Sequence, residues 1–394
     1  MPLTRWFAGG EALIDGRMQR ADLLSIDGVI AAIVEPGGSS TAPSAGTSAG
    51  SSAGEVVDCT EQVVSPGFVD LQCNGAVGFD ITSDPDSIAS VVEALPRFGV
   101  TAFLPTVVTS PPATRRAAIE SLGRIRRHGA QPPGAKPLGL HFEGPMISPE
   151  HLGAHRRRNV AALDEAEIDE WIESGAVRLV TLAPELDGAR SMIERLAAGG
   201  IVVSGGHTAM DPDDLAAARS VGLTAVTHLF NAMAPFSHRS PGPIGAVLAD
   251  DRVVAGIICD GVHVDPVAVR MAWRNLGPER VVLVSDASPA LGMPYGRMEL
   301  AGITIVHDES GVRTVDGTLA GSALALDQAV RNLVAFAGCP LEDALATVTS
   351  TPADLLGLTD RGRLRVGARA DLTILDRAGR VVATVVGGET VFAS

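Results

Sequence analysis

Apolar and polar positions change rhythm twice along this chain. Up to residue 62, short apolar runs alternate with turn residues, and Leu23-Leu-Ser-Ile-Asp-Gly-Val-Ile-Ala-Ala-Ile-Val34 reads as a hairpin about Asp27-Gly28. A Gly/Ser/Ala/Thr tract over 37–54 has too few apolar side chains to pack, so a flexible surface loop is expected there. Two Gly-x-Ser-x-Gly sequences inside it, at 46–50 and 50–54, lack the strand and helix that a nucleophile elbow needs.

From Val63 the pattern becomes apolar strand, loop, amphipathic helix, repeated. The strands expected are 65–72, 100–107, 137–143, 177–183, 200–206, 223–229, 252–259 and 280–286. Helices are expected at 86–97, 113–127, 164–174, 188–198, 211–220 and 266–276, with Asp211-Pro212 and Asp265-Pro266 as cap and first turn. Eight strands alternating with helices predict an α/β fold, a TIM-like (β/α)8 barrel. An open doubly wound sheet is the alternative, but no Gly-rich dinucleotide turn follows the first strand. Short strands return at 371–375 and 381–386. Residues 1–62 and 361–394 are therefore expected to form one small β-sandwich domain beside a catalytic barrel spanning 63–360.

Composition narrows the partners. Of 394 residues, 46% are hydrophobic and 20% charged, and 31 basic against 46 acidic side chains leave a net charge of −15. That balance argues against nucleic acid or an anionic membrane as a broad-surface partner. Thirty of the basic residues are arginine; Lys136 is the single lysine, which nearly excludes Schiff-base chemistry and Walker-type loops. Cysteines 59, 73, 259 and 339 form no C-x-x-C pair and read as reduced thiols. With no leader-like N-terminus and no uncharged apolar run near the ~18 residues of a membrane span, a cytoplasmic location is expected.

In a barrel the active site lies at the C-terminal ends of the strands. Glu143 closes the third expected strand, His207 follows the fifth, His228 ends the sixth and Asp286 the eighth. His207 and His228 are one helix-plus-strand unit apart and would project over the same mouth. One carboxylate and two imidazoles make a three-ligand metal set with an open position for water. The metal makes that water easier to ionise, and Asp286 is placed as general base and later acid.

Val64-Ser-Pro-Gly-Phe-Val-Asp-Leu-Gln72 resembles the first-strand signature of the amidohydrolase superfamily. His141-Phe-Glu-Gly-Pro-Met-Ile-Ser148, Gly153-Ala-His155, Ser204-Gly-Gly-His-Thr208, Thr227-His-Leu-Phe-Asn-Ala-Met233, Asp260-Gly-Val-His263, Ser285-Asp-Ala287 and Gly317-Thr-Leu-Ala-Gly-Ser322 follow in order. Together they resemble the family of N-acetylglucosamine-6-phosphate deacetylases. The resemblance implies hydrolysis of an amino-sugar phosphate acetamide in amino-sugar catabolism and cell-wall sugar recycling. It implies that Asn231, the Ala232 backbone N–H and Arg239 take the phosphate. His263 would contact sugar or phosphate, and His155 would hydrogen-bond the substrate and help polarise its acetyl carbonyl. A homodimer is implied by the same analogy. Another amidohydrolase, such as an N-acetylgalactosamine-6-phosphate deacetylase or an aminoacylase, remains an alternative. A non-catalytic sugar-phosphate-binding barrel is a further one.

The superfamily usually carries His-x-His after the first aspartate, whereas Asp70-Leu-Gln-Cys-Asn74 puts Gln72 and Asn74 there. Residues i and i+2 share a strand face, and neutral amides hold a divalent ion poorly. One divalent metal per chain is expected, zinc first, with iron, cobalt or manganese also compatible with His/His/Glu. Cys73 should face the opposite way, and His141 should lie one layer below Glu143 as a supporting group. Histidines 128, 151, 238 and 307 and the Arg156-Arg-Arg158 run are expected to be solvated. Many binuclear amidohydrolases bridge their metals through a carbamylated lysine ending the fourth strand. Here strand 4 ends at Thr181-Leu-Ala-Pro184, and Lys136 precedes strand 3.

Overall fold

Alternating apolar strands and amphipathic helices between residues 68 and 283 build a parallel barrel. The computed structural model describes residues 3–36, 54–127 and 132–394. The expected loop over 37–54, Gly54 apart, and His128 lie outside the described residues. The barrel strands are β1 (Phe68–Cys73), β2 (Val100–Val108), β3 (Leu140–Glu143), β4 (Val177–Leu182), β5 (Val202–Gly205), β6 (Leu223–Val226), β7 (Val254–Ile257) and β8 (Val281–Leu283). Each pairs in parallel with the next. All nine residues of β2 are buried, as expected of a strand packed on both faces.

The seam between β8 and β1 closes by side chains more than by a ladder. Ser285 Oγ donates to Asp70 across 2.5 Å, Asn74 N–H donates to the Ala287 carbonyl at 2.8 Å, and Cys73 and Ala287 form a single parallel bridge. Lower down, Leu283 and Val69 donate to the Thr347 and Val348 carbonyls. With only three residues, β8 is too short to complete the cylinder alone.

The chain's two ends meet in one six-stranded sheet ordered Glu389–Ala393, Val381–Val386, Leu372–Leu375, Val63–Pro66, Glu11–Ile14 and Arg17–Arg20. A four-stranded sheet from the N-terminal segment packs with it around Phe7, Ile14, Leu23, Ile30, Val64, Leu372 and Ile374. Its hairpin turns at Asp27 and Gly28, φ 50° and 80°, a left-handed pair that suits Asp-Gly. The strand expected over 65–72 is two: Val63–Pro66 joins the small sheet, Phe68–Cys73 the barrel. Gly67 separates them, because a Cβ there would lie 2.1 Å from Thr101 Oγ1.

Six helices fall where the spacing places them, and Asp211 and Asp265 cap two of them through their side chains. Among the described residues, four further helices lie outside the expected set. Gly242–Ala249 is apolar on every side, and Leu341–Ala346 and Ser350–Leu355 are too short to show a period. Leu326–Ala337 is amphipathic, burying Leu326, Ala329, Val330 and Leu333. Also unforeseen is an antiparallel three-stranded sheet, Gly296–Leu300, Ile303–Asp308 and Gly311–Thr314, inserted after β8. It forms part of the wall of the cavity described next.

Candidate metal centre and active site

A cavity of about 220 Å³ opens at the C-terminal ends of the strands. Glu143 is the last residue of β3. His207, His228 and Asp286 stand just beyond β5, β6 and β8, with φ of 51°, 30° and 45°. The left-handed backbone ends each ladder earlier than expected, at Gly205, Val226 and Leu283. Non-glycine residues held there cost about 1–3 kcal/mol each and concentrate at functional sites. All four side chains line the cavity. Gly206 precedes His207 because a Cβ there would meet Thr181 Cγ2 at 2.7 Å.

Glu143, His207 and His228 bring their ligand atoms within 4.8 Å of one another, all buried. His207 Nδ1 lies 2.9 Å from the His151 carbonyl oxygen, which only accepts, so Nδ1 carries the hydrogen and Nε2 keeps its lone pair. Burial, and then His155, pull His207 down to about 4, so the ring is neutral near pH 7. Its bare Nε2 faces Glu143 Oε1 at 3.1 Å and His228 Nε2 at 3.2 Å, and His228 Nε2 is 2.9 Å from the same oxygen. Lone pairs of two imidazoles and a carboxylate converging at this range suit a cation held between them. His228 is raised: burial opposes its charge, but Glu143 outweighs burial. Glu143 itself is held well below the usual carboxylate range; burial works against this, and contacts from His155, His207 and His228 prevail. The donor set therefore fits a divalent metal.

The amides expected to replace two histidines touch this centre. Gln72 Nε2 donates to Glu143 Oε1 at 3.0 Å, and Asn74 Nδ2 donates to Asp286 Oδ1 at 2.7 Å. Burial, with Glu143 adding to it, pushes the Asp286 carboxyl up to about 6. Cys73 is buried in the barrel core, donates to the Gly75 carbonyl and is absent from the cavity wall. His141 lies deeper, Nε2 2.8 Å from Thr181 Oγ1, and burial lowers it to about 4.

His155 also lines the cavity, Nδ1 2.7 Å from Thr109 Oγ1 and Nε2 3.6 Å from Glu143 Oε2. Thr109 donates to the Glu143 carbonyl, so one hydroxyl ties the ring to the end of β3. Asn231, Ala232 and His263 are on the wall as well. Ala232 has φ 49°, and its N–H takes no protein acceptor among the described residues. Arg239 is not brought to this wall: it is exposed on a turn closed by reciprocal Ser237–Ser240 backbone bonds. Leu300, Ile303, Ile305 and Leu319 supply an apolar side that no sequence signal announced.

His238 is exposed as expected, but His151 and His307 are half-buried. His151 offers its carbonyl to His207, and His307 packs edge-on to Tyr295 at 4.9 Å between centroids. Arg157 and Arg158 are exposed, while Arg156 is half-buried. Lys136 pairs with Ala102 near the start of β2, at the end of the barrel away from the cavity.

The amidohydrolase family model matches residues 63–391. The human N-acetylglucosamine-6-phosphate deacetylase is 40% identical over 352 residues, 85% of each chain. An N-acetylgalactosamine-6-phosphate deacetylase from Escherichia coli O157:H7 is 36% identical over 325 residues, 82% of this chain and 85% of that one. The N-acetyl-D-glucosamine-6-phosphate deacetylase of Mycobacterium smegmatis, solved as an aspartate-to-alanine variant in complex with N-acetyl-D-glucosamine-6-phosphate, superposes with a TM-score of 0.88 at 32% identity, covering 100% of both chains. This chain belongs to the amidohydrolase family, in the branch whose members are named N-acetylglucosamine-6-phosphate deacetylase.

Proposed function

We propose that this protein hydrolyses the acetamide of N-acetyl-D-glucosamine 6-phosphate to D-glucosamine 6-phosphate and acetate. The observation that carries the proposal is the convergence of Glu143, His207 and His228 on the cavity that also holds Asp286 and His155. Those three side chains would hold one divalent ion, zinc before iron, cobalt or manganese. When bound, the ion supplies a Lewis acid that polarises a carbonyl and makes water easier to ionise.

Asp286 takes a proton from the attacking water and later delivers it to the nitrogen, which leaves as a neutral amine. Asn74 binds one Asp286 oxygen and leaves the other for that proton. His155 donates Nδ1–H to Thr109 and turns Nε2 into the cavity, where a proton on Nε2 would let it hydrogen-bond the acetyl carbonyl oxygen. Asn231 and the unpaired Ala232 N–H receive the phosphate, and His263 faces a hydroxyl of the sugar. No lysine or arginine lines the cavity among the described residues, so Arg239, from the exposed turn, is assigned the compensating charge.

A homodimer is part of the proposal: Phe236, on the same turn as Arg239 and 57% exposed, is aromatic surface that a second copy would cover. A monomer in sedimentation velocity would refute it. A cytoplasmic location is supported by four buried, unpaired cysteines. Among the described residues no helix is long and apolar enough to cross a membrane.

The Escherichia coli relative favours one second reading, deacetylation of the galactosamine epimer. Acetate release from metal-loaded protein, compared across N-acetylglucosamine 6-phosphate, its galacto epimer and unphosphorylated N-acetylglucosamine, tests both. Preference for the first supports the proposal; no release from any of the three refutes it.

A further inference from the structure

We infer that Asp260 is a positioning residue for substrate binding, fixing the ring and tautomer of His263 so that Nε2 presents a lone pair to a hydroxyl of the sugar phosphate. This rests on the function proposed above. His263 lines the cavity with its side chain only 5% exposed, and Nε2 takes no protein partner among the described residues.

Every donor around Asp260 is already assigned. Oδ1 accepts the backbone N–H of Val262 at 2.8 Å and of His263 at 2.7 Å, while Oδ2 lies 2.6 Å from His263 Nδ1. Asp260 is held below the usual carboxylate range, since burial opposes its charge but the His263 contacts outweigh burial. A carboxylate has no hydrogen to give, so Nδ1 must carry one. The segment is itself anchored: Asn332 donates to the Cys259 carbonyl at 2.7 Å, and the Phe336 ring lies against Gly261. Asp260 therefore acts on a fixed loop, and its second oxygen decides which edge of the imidazole holds the hydrogen.

Asparagine at this position makes that role measurable. The two backbone N–H groups require an oxygen, so the amide must turn its NH2 toward His263 Nδ1. That nitrogen then has to accept, and the ring switches to the Nε2–H tautomer. Geometry and volume are nearly conserved, yet the atom presented to the substrate is inverted.

The test is Asp260→Asn, read by 15N NMR of labelled histidine in the substrate-free protein, steady-state kinetics and thermal unfolding. The expected result is a switch of His263 from Nδ1–H to Nε2–H and a KM raised about tenfold or more. The kcat should stay within about threefold, and Tm within a few degrees. In a His263→Ala background the same substitution should leave KM unchanged, because Asp260 acts only through that ring. Retention of Nδ1–H, an unchanged KM beside a switched tautomer, or a full additional KM effect without His263 would overturn the inference. Should Asp260→Asn fail to fold, an Nε2–H tautomer of His263 in the unaltered protein overturns it equally. The NMR result needs no substrate, so it stands apart from failure of the proposed activity.

Discussion

Gln72 donates its side-chain amide to Glu143 Oε1 across 3.0 Å, the same oxygen that His207 and His228 face. An imidazole at that position would offer a lone pair to a metal; the amide NH2 instead offers a hydrogen to the ligand carboxylate. Asn74, two residues on, likewise spends its NH2 on Asp286. Both neutral amides orient carboxylates and contribute no strong metal donor.

One tightly held divalent ion per chain is the expected stoichiometry. Elemental analysis after dialysis against a weak chelator checks it, and two ions per chain would contradict this account of Gln72 and Asn74.

Asp286→Asn removes the group to which the proposed mechanism assigns the proton from water. Turnover should fall by about 10²–10⁴-fold or more, with substrate affinity retained. Isothermal titration alongside acetate release separates the two quantities. Near-normal turnover would remove Asp286 from the mechanism.

The acid limb of the pH profile follows from the same residue. Burial and the neighbouring Glu143 raise its carboxyl to about 6, so the base form exists only above that pH. kcat/KM should therefore fall about tenfold per pH unit below about 6, through loss of the ionised base. An acid limb that persists unchanged in the residual activity of Asp286→Asn would show that another group controls it.

If Arg239 supplies the charge proposed for phosphate recognition, Arg239→Ala should raise KM about tenfold with little change in kcat, the reacting groups being untouched. An unchanged KM would count against the assignment.

Arg115 and Glu167 form a bidentate pair at 2.7 and 2.8 Å, nearly shielded from solvent, joining helices Pro112–Arg127 and Glu165–Ser174. Arg115 also lies over the Trp171 ring at 5.8 Å. Glu167→Ala should destabilise the protein by about 3 kcal/mol, because it leaves a buried guanidinium without its partner. Urea unfolding measures this; a loss below about 1 kcal/mol would mean that the pair is effectively solvated.

By itself the sequence determined the barrel, its eight strands and four residues over its mouth. Those features are local: parallel strands buried on both faces read as apolar runs, and Glu143, His207, His228 and Asp286 recur at the run ends. The missing His-x-His was equally legible, because it is a statement about residue identity on one strand face. Only the tertiary structure decided how side chains from distant segments pair. Asp286 meets Asn74 across 212 positions, and Thr109 holds His155 across 46. The His207 tautomer depends on a carbonyl 56 residues away, supplied by His151, which the pattern left in solvent. Nor did the pattern show that a three-stranded insertion would wall the cavity, or that Arg239 would stand outside it in its own chain. A hydrogen bond's direction is set by where two backbones bring their atoms, and periodicity carries no record of that.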